Sequence, residues 1–210
     1  MRRGDDSGAA AVEFAIVLPV LLLLVVGMIE FAFVMRDNLS TSSAVRTGVR
    51  TAITGAADGC VAGTAGTSSC VPSLTQAAAN SVEKGGLGMP KNSINYILVY
   101  KANNLGFPGA NGVSTMATKA ACGTTVANCV AFIWDQTANS GAGGLVYSSG
   151  GWNSQAINAC LPITDQVGVF MSVDHPYITR LFGATLTVSD RAVMRFQPLD
   201  PTSCGPNNHL

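Results

Sequence analysis

The sequence predicts an α+β protein. A long N-terminal helix, apolar enough at its start to cross a membrane, is followed by a head in which a second helix packs on a mainly antiparallel four-stranded sheet. Three observations carry this expectation. From Phe14 to Ile29 sixteen consecutive residues carry no charge. Above that run Val45, Val49, Ala52, Ile53 and Ala56 recur at helical spacing. Beyond Pro72 a single amphipathic stretch gives way to strand-length runs rich in Val, Ile, Phe and Thr.

Residues 1–8 form a polar leader that ends in Gly8. In a secretory signal peptide the cleavage site follows the apolar region, whereas here the candidate site, Gly8–Ala9, precedes it. A cut there leaves the apolar helix on the mature chain. The uncharged run extended through Glu30 to Met35 is 22 residues long, within the span of about 17 to 25 that crosses a bilayer. Pro19 lies inside it and is expected to bend the helix, because it removes one backbone donor. Residues 9–57 then read as one membrane-spanning and amphipathic helix, roughly 70 Å long at 1.5 Å per residue. Its upper half offers an apolar stripe to the head and turns Arg46 and Arg50 elsewhere, with Gly48 as its weak point. Glu30 is expected at the outer interface, with Arg36 as an available partner. Arginines flank the run on both sides, so charge counting leaves its orientation open.

The head is assigned to residues 58–210. Ser73 and Gln76 have the spacing of a capping box, Leu74, Ala77, Ala78 and Val82 would be the buried face, and Lys84-Gly85-Gly86 the stop. Four strands are expected, at Ile94–Tyr100, Cys129–Trp134, Val167–Val173 and Thr185–Met194. Short helical turns are expected at Asn153–Ala159 and Tyr177–Phe182, with glycine-rich loops at 103–115 and 138–151.

Composition narrows the function. With net charge +0 and 11% charged residues there is no basic surface for nucleic acid. All six cysteines, Cys60, Cys70, Cys122, Cys129, Cys160 and Cys204, follow the apolar run. An even set confined to one side of an anchor reads as disulfides in an oxidising compartment, which places the head outside and the leader in the cytoplasm. Of fifteen formal connectivities, the local pairs Cys60–Cys70 and Cys122–Cys129 come first, because each closes a Gly/Ser/Thr-rich loop. Cys160–Cys204 then remains. No Cys-x-x-Cys pair accompanies the two histidines, so neither a metal nor any other cofactor is expected.

The string Ser7-Gly8-Ala9-Ala10-Ala11-Val12-Glu13-Phe14-Ala15-Ile16-Val17-Leu18-Pro19 resembles the processing site of type IV prepilins and pseudopilins, and most closely the TadE/TadG-like minor pilins of tight-adherence (Tad, or Flp) pilus systems. Ile29-Glu30-Phe31 fits the same group, and the C-terminal Ala192–Pro198 stretch does so more loosely. The resemblance covers roughly residues 7 to 55. It implies a structural subunit cut after Gly8 by prepilin peptidase, with other major and minor pilins and the inner-membrane assembly platform as partners. It implies a subunit anchored in the cytoplasmic membrane that passes to an extracellular pilus. In such an assembly the new amino group of Ala9 meets Glu13 of a neighbouring copy, because paired opposite charges are tolerated in a low-dielectric bundle where a lone one is not. Glu13 and Phe14 thus become registry residues. The other reading of the same anchor is a surface adhesin or binding module that keeps its leader.

No catalytic constellation accompanies this. Asp174 and His175, with Ser172 nearby, are adjacent in a strand and point to opposite faces, so His175 is expected as a surface residue at a strand end. Gly141-Ala142-Gly143-Gly144 lacks the Lys and Ser/Thr of a phosphate loop and reads as a hairpin. Trp134, Trp152, Tyr147 and Phe107 are expected mainly in the core rather than in a binding patch. Arg3-Gly4-Asp5 lies in the leader and is taken as chance.

Overall fold

A computed structural model of the chain describes residues 6–56, 71–85, 88–153, 156–180 and 183–204. Its first element, α1, is a single helix of 47 residues, Asp6–Ala52, that runs through Pro19. It therefore begins three residues before Ala9 and stops short of the expected end near residue 57. The stop is a tightening of the last turn: Thr54 N–H donates to Thr51 O and Gly55 N–H to Ala52 O, three residues back. Below Glu30 every residue from Gly8 on is exposed except Leu18, Val26 and Gly27, which are half-buried. Above it Asp37, Thr41, Ala44, Val45, Gly48, Val49 and Ala52 are buried in one seam, and Arg46 and Arg50 are exposed.

α2 (Ser73–Gly85) buries Leu74, Thr75, Ala78, Ala79 and Val82. Ala77, expected on that face, is only half-buried, and Ala79 takes its place. Gln76 does not turn back to the helix start. Its amide donates to Asn80 Oδ1 and to Leu145 O, tying the helix to the sheet. Gly48, which reads from sequence as a weakness of α1, is where the two helices cross. A Cβ there would stand 2.4 Å from Val82 Cγ2 and 3.2 Å from the carbonyl oxygen of Ala78, so only hydrogen fits.

The sheet has five strands rather than four: β1 (Ile94–Ala102), β2 (Cys129–Asp135), β3 (Gly144–Gly151), β4 (Gln166–Pro176) and β5 (Thr185–Arg195). Their order is β3-β2-β1-β4-β5, and every pairing is antiparallel. The strand absent from the sequence reading is β3, Gly-Leu-Val-Tyr-Ser-Ser-Gly-Gly, which lay inside an expected loop. It is an edge strand, paired on one side and half-exposed, and so needs no continuous apolar run. A tight turn over Ala138–Gly141 delivers it, with Asn139 and Ser140 in the left-handed region and Asn139 Nδ2 donating to Gly143 O. Of the helical turn expected at Tyr177–Phe182, the described residues 177–180 are not helical but begin the connection of the β4–β5 hairpin, in which Tyr177 N–H donates to Ala184 O; Leu181 and Phe182 lie outside the described residues. Among the described residues of Asn153–Ala159, the bond from Ala156 N–H to Asn153 O is the one of helical character.

Strand alternation sorts the core into two layers. Ile97, Val99, Val130, Phe132, Val167, Val169, Met171 and Val173 face α1 and α2, and Trp152 and Phe196 close that layer. Leu98, Tyr100, Ala131 and Phe170 face the other way and are roofed by residues from the 103–128 segment, including Ala117 and Cys122. Asn103 organises the start of that roof. Its Nδ2 donates to Ala110 O and Val113 O, and its Oδ1 accepts from Leu105 N–H and Phe107 N–H.

Cys122 is bonded to Cys129, and Cys160 to Cys204, two of the pairings read from spacing; Cys60 and Cys70 lie outside the described residues. The second bridge closes a separation of 44 residues, a loop closure that removes about 4 kcal/mol of entropy from the unfolded chain. Its C-terminal tail also holds the top of α1, since Gln197 N–H donates to Ile53 O.

Candidate functional site

Two regions of α1 carry everything the sequence singles out. The lower region holds Gly8, Ala9, Glu13, Phe14 and Pro19, and the structure brings none of these to the head. Ala9, Glu13 and Phe14 are exposed, and nothing approaches a Cβ at Gly8 within 4 Å. The Gly8–Ala9 bond sits in the first turns of the helix, where glycine costs about 1 kcal/mol of helix stability relative to alanine. From Val12 to Val25 almost every large side chain is exposed; Phe14 is 64% and Ile16 70% exposed. The helix is long and apolar enough to cross a membrane, with none of its apolar window buried by the protein. Such a surface is stable only against lipid or other apolar helices.

The upper region is a polar seam between α1 and the β4–β5 hairpin. Glu30 and Asp37 stand seven residues apart, two helical turns, and so share a face. Glu30 is buried, and its Oε1 accepts from Thr179 N–H at 2.7 Å and Thr179 Oγ1 at 2.9 Å. Asp37 is buried as well. Its Oδ2 lies 2.6 Å from His175 Nδ1, and its Oδ1 accepts from Arg36 at 3.0 Å. An ionised carboxylate can only accept, so the imidazole hydrogen sits on Nδ1. His175 Nε2 and Glu30 Oε2 face the same seam without a hydrogen-bond partner in the protein.

This overturns two expectations. His175 is not a surface residue: it is 4% exposed and its partner is on α1. Arg36 serves Asp37 rather than Glu30. Asp174 does point the other way, accepting from Thr187 Oγ1, and Ser172 is buried on its own face of β4. Asp37 escaped the sequence reading, although its seven-residue offset from Glu30 and its continuation into Thr41, Val45 and Gly48 mark it as part of the buried stripe.

The four aromatic residues do not form one patch. Trp152 is fully buried, Trp134 is half-buried against the helix-facing core, and Tyr147 is exposed on β3. Phe107 is covered by the Arg191 guanidinium at 3.4 Å. Among the described residues no group of three or more His, Cys, Asp or Glu side chains could hold a metal ion.

Residues 8–50 match the family model described as TadE-like protein. No curated protein matches the chain, and no solved structure does. The matched segment coincides with α1 from its exposed apolar start, through Glu30 and Asp37, to the turn that packs on α2. Over that segment alone the chain is similar to the TadE-like family.

Proposed function

We propose that the chain is a minor pilin or pseudopilin of a Tad (Flp) pilus. Prepilin peptidase cuts it between Gly8 and Ala9, and the freed amino group of Ala9 pairs with Glu13 of an adjoining subunit, fixing the axial stagger as α1 helices bundle. The protein is a substrate of the peptidase and not itself a catalyst. It is inserted through α1 with its head outside the cytoplasmic membrane, and the assembly platform passes it to the pilus, where it primes, caps or joins the fibre.

The observation that carries this reading is the coincidence of the family match over residues 8–50 with one helix whose lower half is exposed and apolar and bears an exposed acid at Glu13. A stripe of Leu24, Met28, Met35 and Leu39, turned away from the seam, further supports packing against neighbouring helices, since all four are exposed. The experiment is intact-mass measurement of the protein from the native membrane, with Gly8→Leu and Glu13→Ala beside the parent and pili counted for each. The parent should lack residues 1–8, Gly8→Leu should retain them, and Glu13→Ala should be cut yet fail to assemble. A parent that keeps all eight residues would point instead to a permanently anchored adhesin or binding module.

A further inference from the structure

Glu30 is the single charged residue between Phe14 and Met35. It stands about 24 Å along α1 from Phe14, inside a hydrocarbon layer of about 30 Å. Thr179, at the tip of the β4–β5 hairpin, donates to it twice. In a bilayer, therefore, the hairpin tip is fastened to the helix below the outer headgroups. The side chains at the tip suit that depth. Ile178 is 69% exposed, and Tyr177 and Leu186 join Gly27, Glu30, Phe31 and Val34 of α1 around an open groove of about 320 Å³, apolar apart from that one acid. Arg180 is exposed at the same tip. Arg36, with its guanidinium 5.2 Å from the centre of the Phe33 ring, lies about 9 Å above Glu30 along the axis.

We propose that the β4–β5 hairpin tip is a membrane foot: Tyr177, Ile178 and Leu186 enter the outer leaflet beside α1, while Arg180 and Arg36 meet the phosphates of lipid headgroups. The inference rests on reading α1 as a membrane-spanning helix. Lipid is the occupant because the groove continues the exposed apolar surface of α1, which is the surface an anchor presents to acyl chains. Arg36, about 9 Å above Glu30, stands where phosphate follows the apolar layer, and Arg180, beside Thr179, reaches that layer by extending its long side chain upward. The foot accounts for Glu30. A carboxylate at this depth is costly, and the Thr179 N–H and hydroxyl give Oε1 two donors that lipid lacks, while Oε2 finds none among the described residues. It also fixes the height and tilt of the head on the membrane, so that drawing the subunit out of the bilayer must lift the foot together with the anchor.

The test is brominated-lipid quenching of the full chain in vesicles of phosphatidylcholine and phosphatidylglycerol. Tryptophan reporters are placed at the tip (Ile178→Trp and, independently, Tyr177→Trp), in the span (Leu22→Trp) and on the far edge of the sheet (Tyr147→Trp). The emission of Trp134 and Trp152 in the parent is subtracted. Bromines at shallow acyl positions should lower the tip emission by at least about twofold, as for side chains lying about 5 to 10 Å into the boundary. Deep bromines should quench Leu22→Trp, and neither should affect Tyr147→Trp. Unquenched tip reporters beside a quenched Leu22→Trp overturn the foot and leave the anchor standing. An unquenched Leu22→Trp overturns the anchor and the foot with it. Tip emission that is blue-shifted, unquenched and grows with the protein-to-lipid ratio assigns the groove to a second copy of the chain and overturns lipid as the occupant.

Discussion

Replacing Asp37 and His175 with leucine, singly and together, tests whether the seam holds the head on its stalk. Their side chains are 1% and 6% exposed and meet at 2.6 Å. His175→Leu strips Oδ2 of Asp37 of its donor in a buried site, leaving only Arg36, at 3.0 Å, on the other oxygen. Breaking a buried pair in this way costs about 3 to 5 kcal/mol, and the surviving Arg36 contact places this case near the lower figure. Asp37→Leu removes the acceptor of the imidazole Nδ1–H, so the penalty is that of one orphaned buried donor, about 1 to 3 kcal/mol. In the double variant both polar groups are gone and two leucines pack in their place, which lowers the cost below that of His175→Leu alone. For a chain of this size each kcal/mol moves Tm by about 2 to 4 °C, so His175→Leu should melt about 6 to 12 °C lower. The assay is thermal unfolding in detergent, followed by the emission of the fully buried Trp152. A double variant whose loss equals the sum of the single losses within about 0.5 kcal/mol would refute the coupling.

Two further outcomes follow from packing and burial. Gly48→Ala should destabilise the head, because the added Cβ, 2.4 Å from Val82 Cγ2, demands a shift costing about 1 to 3 kcal/mol. That exceeds the gain of up to about 1 kcal/mol in helix propensity, and adding Val82→Ala should restore most of the loss in the same unfolding assay. Burial pushes the pKa of the Tyr100 phenol up to about 12 from its ordinary 10.0, against the opposing charge of Arg191. Folding therefore holds its proton above the pH at which the unfolded chain releases it. This contribution is intact below about pH 10 and is lost as pH rises through about 12, a decline of about 2 to 3 kcal/mol. Burial also raises Tyr96, so phenolate absorbance should show Tyr100 ionising last, and Tyr100→Phe should abolish that last step and most of the alkaline decline.

The apolar span, the amphipathic upper half of α1 and four of the five strands are legible in the sequence because each is written in contiguous residues. A run of uncharged side chains long enough for a bilayer, or a period of two in Val167–Val173, needs no partner to be recognised. The TadE-like segment is legible for the same reason, since Gly8, Glu13 and Phe14 lie within one short stretch. The fifth strand was decided elsewhere. As an edge, β3 takes its identity from the hydrogen bonds that β2 offers it, and its own serines and glycines say little.

The seam is the clearest case of what only the tertiary structure determines. Asp37 and His175 are separated by 138 positions, and Glu30 and Thr179 by 149. Composition and periodicity report on neighbours along the chain. A buried acid acquires its meaning from the donor that folding places against it, and that donor arrives only when the β4–β5 hairpin closes on α1. Sequence alone therefore determined that this protein carries a helix long and apolar enough to cross a membrane; the packing of hairpin on helix decided how that helix and the head are joined.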